Sequence, residues 1–237
     1  MIRFLSLLLL STLTFGVNAQ DFVQASVTFS HKKPAYLSLS DGTEVEGTVD
    51  KIKRHKGTVI TEVHLKVDDD VTVYSAQDIE YMALMPSGLE RVASAMKIQN
   101  NATLWRSDVN LKQRLSLGYV FFENTQVEYK KGAKMVMLQV LNPHFSDGVV
   151  VYSNPFNTEG GSTSIGGITV KEKLPGSFYI RLEGDENARF ISKKKYEYTY
   201  DELFGRCRAM RRAFPKIKWQ QFDEHVFAYN KRCGSSD

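Results

Sequence analysis

Cys207 and Cys233, five separated histidines, two short acidic runs and one Gly-Ser run are the residues of this chain best equipped for chemistry. Two cysteines can bridge, stay as two buried thiols or join a metal site. Zinc is disfavoured, because only His225 lies near them in sequence and no C-x-x-C spacing occurs. His31, His55, His64, His144 and His225 fall in no H-E-x-x-H or comparable pattern. His64 sits on the polar side of an alternating segment and reads as solvated. Asp68-Asp69-Asp70 lacks the alternate ligand spacing of a calcium loop and reads as a solvated turn. Glu183, Asp185 and Glu186 read the same way. A carboxylate pair for glycoside hydrolysis depends on tertiary spacing, and nothing local singles one out. The run from Gly160 to Gly167 lacks the Gly-Lys-Ser/Thr ending of a phosphate loop and the G-x-S-x-G of a nucleophile elbow. It reads as a flexible surface loop. No catalytic residue, cofactor motif or metal site emerges from these patterns.

The compartment decides what the cysteines do, and the first residues speak to it. Arg3 precedes an apolar run from Phe4 to Leu10 that continues more weakly through Leu13 and Phe15. Val17-Asn18-Ala19 then places small residues where a signal peptidase reads them. The pattern predicts a secretory signal over 1–19, cleaved between Ala19 and Gln20. An uncleaved anchor fits less well, since the run falls short of the roughly 20 residues that span a bilayer. No later segment is long and apolar enough to cross one. The expected location is periplasmic or secreted. Disulfides persist in such oxidising spaces, so Cys207 and Cys233 are expected to pair.

The full chain carries a net charge of +4. That charge is weak and mixed, and it does not by itself imply nucleic acid. It is unevenly placed. Lys193 to Asp237 holds 11 basic and 6 acidic residues, with Arg206, Arg208, Arg211, Arg212, Lys216 and Lys218 as the densest cluster. These six are the candidate contact surface, facing an envelope or extracellular partner or an anionic surface at the periphery.

The elements that must position these groups follow from periodicity. Asp41-Gly42 marks a hairpin. Val59, Thr61, Val63, Leu65 and Val67 alternate with Ile60, Glu62, His64 and Lys66, which predicts one apolar and one polar face. With Gly47 in the intervening strand and a short turn at Ser75 to Asp78, this block resembles Sm-like or SH3-like small barrels. Leu89, Val92, Ala93 and Met96 recur at helical spacing behind a Ser87/Glu90 capping box. Met135 to Leu141 is nearly continuously apolar, as suits a central strand buried on both faces. From Lys193 the period becomes helical. Thr199 and Glu202 form a second capping box, followed by Leu203, Cys207, Met210 and Phe214 on one face up to Pro215. Trp219, Phe222, Val226, Tyr229 and Cys233 repeat that spacing. Two helices in a hairpin would bring the cysteines together.

Two series of residues carry a resemblance. One is Leu138-Gln139-Val140-Leu141-Asn142-Pro143-His144-Phe145, with Val151-Tyr152 and Ser177-Phe178-Tyr179. The other is Leu203-Phe204-Gly205-Arg206-Cys207, Trp219, Phe222 and Tyr229-Asn230-Lys231-Arg232-Cys233. Together they resemble a group of uncharacterised secreted proteins of Gram-negative bacteria. The resemblance implies a signal peptide, a β-rich body and a paired-Cys helical tail, with no assigned activity.

The fold class expected is α+β and mainly β: a small N-terminal barrel or bent antiparallel sheet, a second antiparallel sheet and a C-terminal α-helical hairpin. The expected segments are a signal peptide over 1–19, a barrel-like part over 20–86, a helical or irregular linker over 87–114, an antiparallel part over 115–192 and a disulfide-stapled helix hairpin over 193–237. The expected function is an exported, non-enzymatic protein with a binding or structural role in the cell envelope or outside the cell. The alternative is a hydrolase of envelope or extracellular polymer, built from dispersed residues.

Overall fold

A computed structural model describes residues 21–56, 58–87, 105–106, 109–129, 132–156, 162–165, 168–171 and 174–234. The signal segment with Ala19 and Gln20, the helix expected over Leu89 to Met96, and Gly160, Gly161, Gly166 and Gly167 of the Gly-Ser run lie outside them.

The Asp41-Gly42 turn forms as its residues require. Gly42 has φ +86°, and the Asp41 carboxylate accepts from the Thr43 N–H at 2.9 Å, which holds its pKa down. The turn joins β1 (Pro34–Leu39) to β2 (Glu44–His55). β3 (Val59–Val67), β4 (Asp70–Ser75) and β5 (Ile79–Leu84) follow. After helix α1 (Val109–Ser116) come β6 (Val120–Tyr129), β7 (Gly132–Val140) and β8 (Val149–Ser153). A separate hairpin, β9 (Ser162–Ile165) and β10 (Ile168–Lys171), precedes β11 (Ser177–Leu182) and β12 (Arg189–Ser192).

The main sheet runs β12-β11-β8-β7-β6-β5-β1-β2-β3-β4 and closes on itself, because Ile60 of β3 also pairs with Met137 of β7. The result is a six-stranded antiparallel barrel with additional strands and a C-terminal helical group. Two of the barrel strands, β6 and β7, come from beyond residue 86. The barrel therefore reaches across the boundary drawn there from sequence, and one continuous sheet joins it to β8, β11 and β12.

Closure depends on an irregularity. Lys53 pairs with Glu62, and Arg54 pairs with Ile60, so Thr61 is an extra residue. Bulges of this kind bend a strand and increase its twist. The alternation over β3 predicted Ile60 on the polar face; the bulge reverses that parity. Ile60 enters the barrel interior with Val63 and Leu65, while Thr61 is exposed and its hydroxyl donates to the Lys53 carbonyl.

β7 is buried on both faces along its second half, as its apolar run predicts. Met137 points into the barrel with Leu37, Ile79 and Met82. Val136, Leu138 and Val140 face a second cluster with Phe121, Tyr152 and Leu115 of α1. Gln139 is the polar exception in this run and is 2 % exposed. Its side-chain carbonyl accepts from the Ser26 N–H at 2.8 Å, and its amide donates to the Gln24 carbonyl at 3.0 Å. That side chain pins the N-terminal stretch, whose Val23 and Phe29 pack in the barrel core.

The C-terminal unit comprises α2 (Tyr196–Phe204), α3 (Arg208–Ala213) and α4 (Phe222–Tyr229), with a 3-10 turn at Trp219–Gln221 and a π-turn at Asn230–Gly234. Phe178 stacks on Trp219 and Phe222, and Val149, Val151 and Ile180 complete this third cluster. Two sequence expectations change here. The helix predicted through Phe214 breaks at Gly205, and Cys207 adopts an extended backbone before α3 begins. The Thr199/Glu202 capping box does not form: α2 starts earlier, Thr199 donates back to the Lys195 and Tyr196 carbonyls, and Glu202 pairs with Arg189 of β12. A carboxylate offered a guanidinium gains more than one bonding a neutral N–H.

Candidate functional site

The six basic residues singled out from sequence are all exposed. Arg206, Arg208, Arg211, Arg212, Lys216 and Lys218 reach solvent, while Leu203, Cys207 and Met210 of the same stretch are buried. Arg211 pairs with Asp201. The other five face no carboxylate among the described residues.

Cys207 and Cys233 sit at disulfide distance, with Cα atoms 6.0 Å apart and a sequence separation of 26. The bridge also gathers charge. Arg206 and Arg208 flank one cysteine, and Lys231 and Arg232 precede the other; all four are exposed. Lys231 and Arg232 were not among the candidates from sequence, although their place beside Cys233 was the available signal. Closing a loop of this length is worth about 3.5 kcal/mol in the chain-entropy model. Reduction is expected to lower the melting temperature accordingly. An unchanged melt, with both thiols alkylated in the native protein, would show that no bridge exists.

Two buried asparagines tie this tail to the sheet. Asn142, fully buried after β7, donates to the carbonyls of Phe145 at 3.0 Å and Val149 at 2.7 Å, and accepts from the Val151 N–H at 2.8 Å. Asn230, from the π-turn, accepts from the N–H groups of Gly148 and Val149, both at 2.8 Å, and donates to the Phe145 carbonyl at 2.6 Å. The connection between β7 and β8 is thus satisfied by side chains, which a buried loop requires. The approach is close enough that a Cβ on Gly148 would come within 2.7 Å of the Gly234 Cα. Both asparagines belong to the residue series quoted above, yet neither was read as a clamp.

The opposite face of that connection borders a cleft of about 320 Å³ between β6, β8, β11 and the β11–β12 turn. Its floor is a charged network. Arg181 contacts Glu123 at 3.0 and 3.1 Å and donates to the Thr125 hydroxyl at 3.0 Å. The Tyr152 hydroxyl also bonds Glu123, and the guanidinium lies 5.6 Å from the Tyr152 ring centroid. Burial, reinforced by the Glu123 charge, pushes the Tyr152 phenol well above its ordinary pKa. Burial alone would weaken the Arg181 charge, but the Tyr152 and Glu123 oxygens outweigh it and the net shift is upward. Glu123 is held by both Arg181 and Tyr152, so this network fixes the floor of the cleft. Trp105 and Arg106 form one wall, with Arg106 paired to Glu80.

The histidines remain apart. His31 bonds the Val49 carbonyl at 2.7 Å, and His64 lies 3.2 Å from Glu62 while that carboxylate also holds Lys53. His64 is partly buried, not fully solvated as its strand face predicted. His144 and His225 are buried in apolar surroundings, and each is pushed down to about 4 by desolvation. Asp69 of the acidic turn pairs with Lys66 at 2.8 Å. Among the described residues no three His, Cys, Asp or Glu side chains converge to hold a metal ion. Comparison with protein-family models, curated proteins and solved structures returned no match to this chain.

Proposed function

We propose that the chain is an exported, non-enzymatic protein of the Gram-negative envelope that binds an anionic lipid surface through its C-terminal helical unit. The observation that carries this reading is the set of five exposed cations, Arg206, Arg208, Arg212, Lys216 and Lys218, with no carboxylate opposite them among the described residues. The cysteine pair at disulfide distance supports an oxidising compartment. The signal pattern over 1–19 and the resemblance to secreted proteins point the same way. No helix among the described residues is long and apolar enough to cross a membrane, in keeping with peripheral contact. The hydrolase alternative ranks lower, because Glu123 is tied to Arg181 and Tyr152, and Asp185 to Arg189 at 3.0 Å.

Each basic side chain near an anionic leaflet contributes about 1 kcal/mol, and that attraction falls off within a Debye length. The oxidised protein lacking residues 1–19 is expected to co-sediment with phosphatidylglycerol vesicles at low salt and to dissociate as salt rises. Neutral phosphatidylcholine vesicles should not retain it. Arg206→Glu with Arg208→Glu and Arg212→Glu should remove the binding without changing the melt. Absence of binding at low salt would end the membrane reading.

A further inference from the structure

We infer that the Cys207–Cys233 bridge is a redox switch on the lipid contact. Oxidised, it assembles a cluster of four cations; reduction by a dithiol disperses that cluster and weakens the hold on an anionic surface. This inference rests on the lipid-binding reading and adds Lys231 and Arg232 to the contact residues.

The bridge joins two basic pairs that are far apart in sequence. Arg206 and Arg208 flank Cys207, and Lys231 and Arg232 precede Cys233; all four are exposed and meet no carboxylate among the described residues. Because the cysteine Cα atoms are 6.0 Å apart, the Cα of Arg232 lies within about 14 Å of those of Arg206 and Arg208. Like charges at that separation repel at low salt, where the Debye length is about 30 Å. The covalent link holds them together against that repulsion, and an anionic headgroup among them relieves it.

The two sides of the link are held unequally. Arg206 and Arg208 lie between two fully buried anchors, Phe204 before them and Met210 after them. Lys231 and Arg232 follow the buried Asn230. Beyond that clamp, the bridge is the only side-chain bond that ties the π-turn to another segment among the described residues. Lys231 reaches back only to the Phe227 ring, at 6.0 Å. Cutting the bridge therefore frees the second pair and leaves the first in place.

The surroundings favour that cut. Cys207 is 3 % exposed while Cys233 is half-buried, so an incoming thiolate reaches the Cys233 sulfur. Its attack forms a mixed disulfide with Cys233 and expels Cys207 as a thiolate, which the flanking guanidiniums of Arg206 and Arg208 favour. The second thiol of the reductant then displaces Cys233. The dithiol leaves as a disulfide, two electrons and two protons pass to the protein, and both cysteines end as thiols.

The test is co-sedimentation with phosphatidylglycerol vesicles at low salt before and after reduction with dithiothreitol, with near-ultraviolet circular dichroism recorded on both forms. Reduction should weaken binding about thirtyfold, the expected loss for two cations at the surface. Lys231→Ala with Arg232→Ala should weaken the oxidised protein by the same factor, and reduction of that variant should add nothing. Cys207→Ser with Cys233→Ser should bind like the reduced parent, with or without dithiothreitol. An oxidised parent that does not bind ends the lipid-binding reading and the switch with it. If the oxidised parent binds, three results would overturn the switch and leave that reading standing. They are binding unchanged by reduction, an oxidised charge variant that binds like the parent, and a charge variant that loses as much again on reduction. A reduced protein without the near-ultraviolet signal of the parent would also overturn the switch, because both of its states must stay folded.

Discussion

Acidification from about pH 7 to about pH 4 is expected to cost the fold roughly 5 kcal/mol through two buried histidines. His225 is fully buried among the rings of Tyr196, Tyr200, Phe204 and Phe214, and its Nδ1 shares a hydrogen bond with the Tyr196 hydroxyl. Its Nε2 has no partner among the described residues. His144 is 2 % exposed and packs edge-on against Phe145. Both have folded pKa values near 4, below the ordinary value of 6.5. Between those values the unfolded chain binds the extra protons, so stability rises with pH across that window. The contribution is complete above the unfolded value and is lost as pH falls toward the folded one. Urea melts across a pH series measure it directly. His225→Phe should roughly halve the slope between pH 6.5 and 4, with a baseline offset because Tyr196 loses its partner. A slope identical to that of the parent would remove His225 from the account. Carboxylates such as the half-buried Glu62 and the exposed Asp69 also have lowered pKa values, and they act at more acidic pH.

Asn230→Ala is expected to destabilise the protein by about 4 kcal/mol. Two buried N–H groups, Gly148 and Val149, lose their shared acceptor, and the Phe145 carbonyl loses a donor. Each orphaned buried group costs about 1–3 kcal/mol. Alanine also leaves space where Gly148 and Gly234 approach each other, and the surrounding backbone can close it only in part. Hydrogen exchange at the Gly148 and Val149 amides would report the loss locally, alongside the global melt. Asn230→Asp keeps an acceptor but sets carboxylate oxygen against the Phe145 carbonyl, so it should recover only part of the stability. Native protection at both amides in Asn230→Ala would show that the clamp does not hold the loop. The same variant should loosen the cleft wall, because Gly148 is shared between the two.

Much of the local structure was legible. Asp41-Gly42 announces its turn because only certain residues tolerate that backbone. The apolar run of β7 announces burial on both faces, and the barrel core and the outer cluster each receive alternate side chains from it. Leu203, Cys207, Met210 and Trp219, Phe222, Val226 are buried as their spacing required. The six basic residues are exposed because the apolar spacing leaves them the other face. The helix break at Gly205 was not read, since helical periodicity tolerates a shift when both pieces keep one apolar side inward.

Other features had no local signal. The Thr61 bulge reverses the parity of β3, and only pairing of Ile60 with Met137 reveals why. The cleft draws Trp105, Glu123, Ser146, Arg181 and Glu183 from separate segments, and each looks ordinary in its own segment. Asn142 and Asn230 read as strand-end and helix-end polar residues until their shared carbonyls are seen.

The division has a physical basis. Side-chain period, turn backbone and the chemistry of two cysteines act over a few residues or through the surroundings, so the amino-acid order alone determined a β-rich body with a helical, basic, cysteine-paired tail. Barrel closure, the asparagine clamp and the cleft over Arg181 and Glu123 depend on which distant groups end up within hydrogen-bond reach. Asn230 reaches Gly148 across 82 residues. Such partnerships carry no periodic trace, because each needs only one side chain from each segment, and the tertiary structure alone decided them.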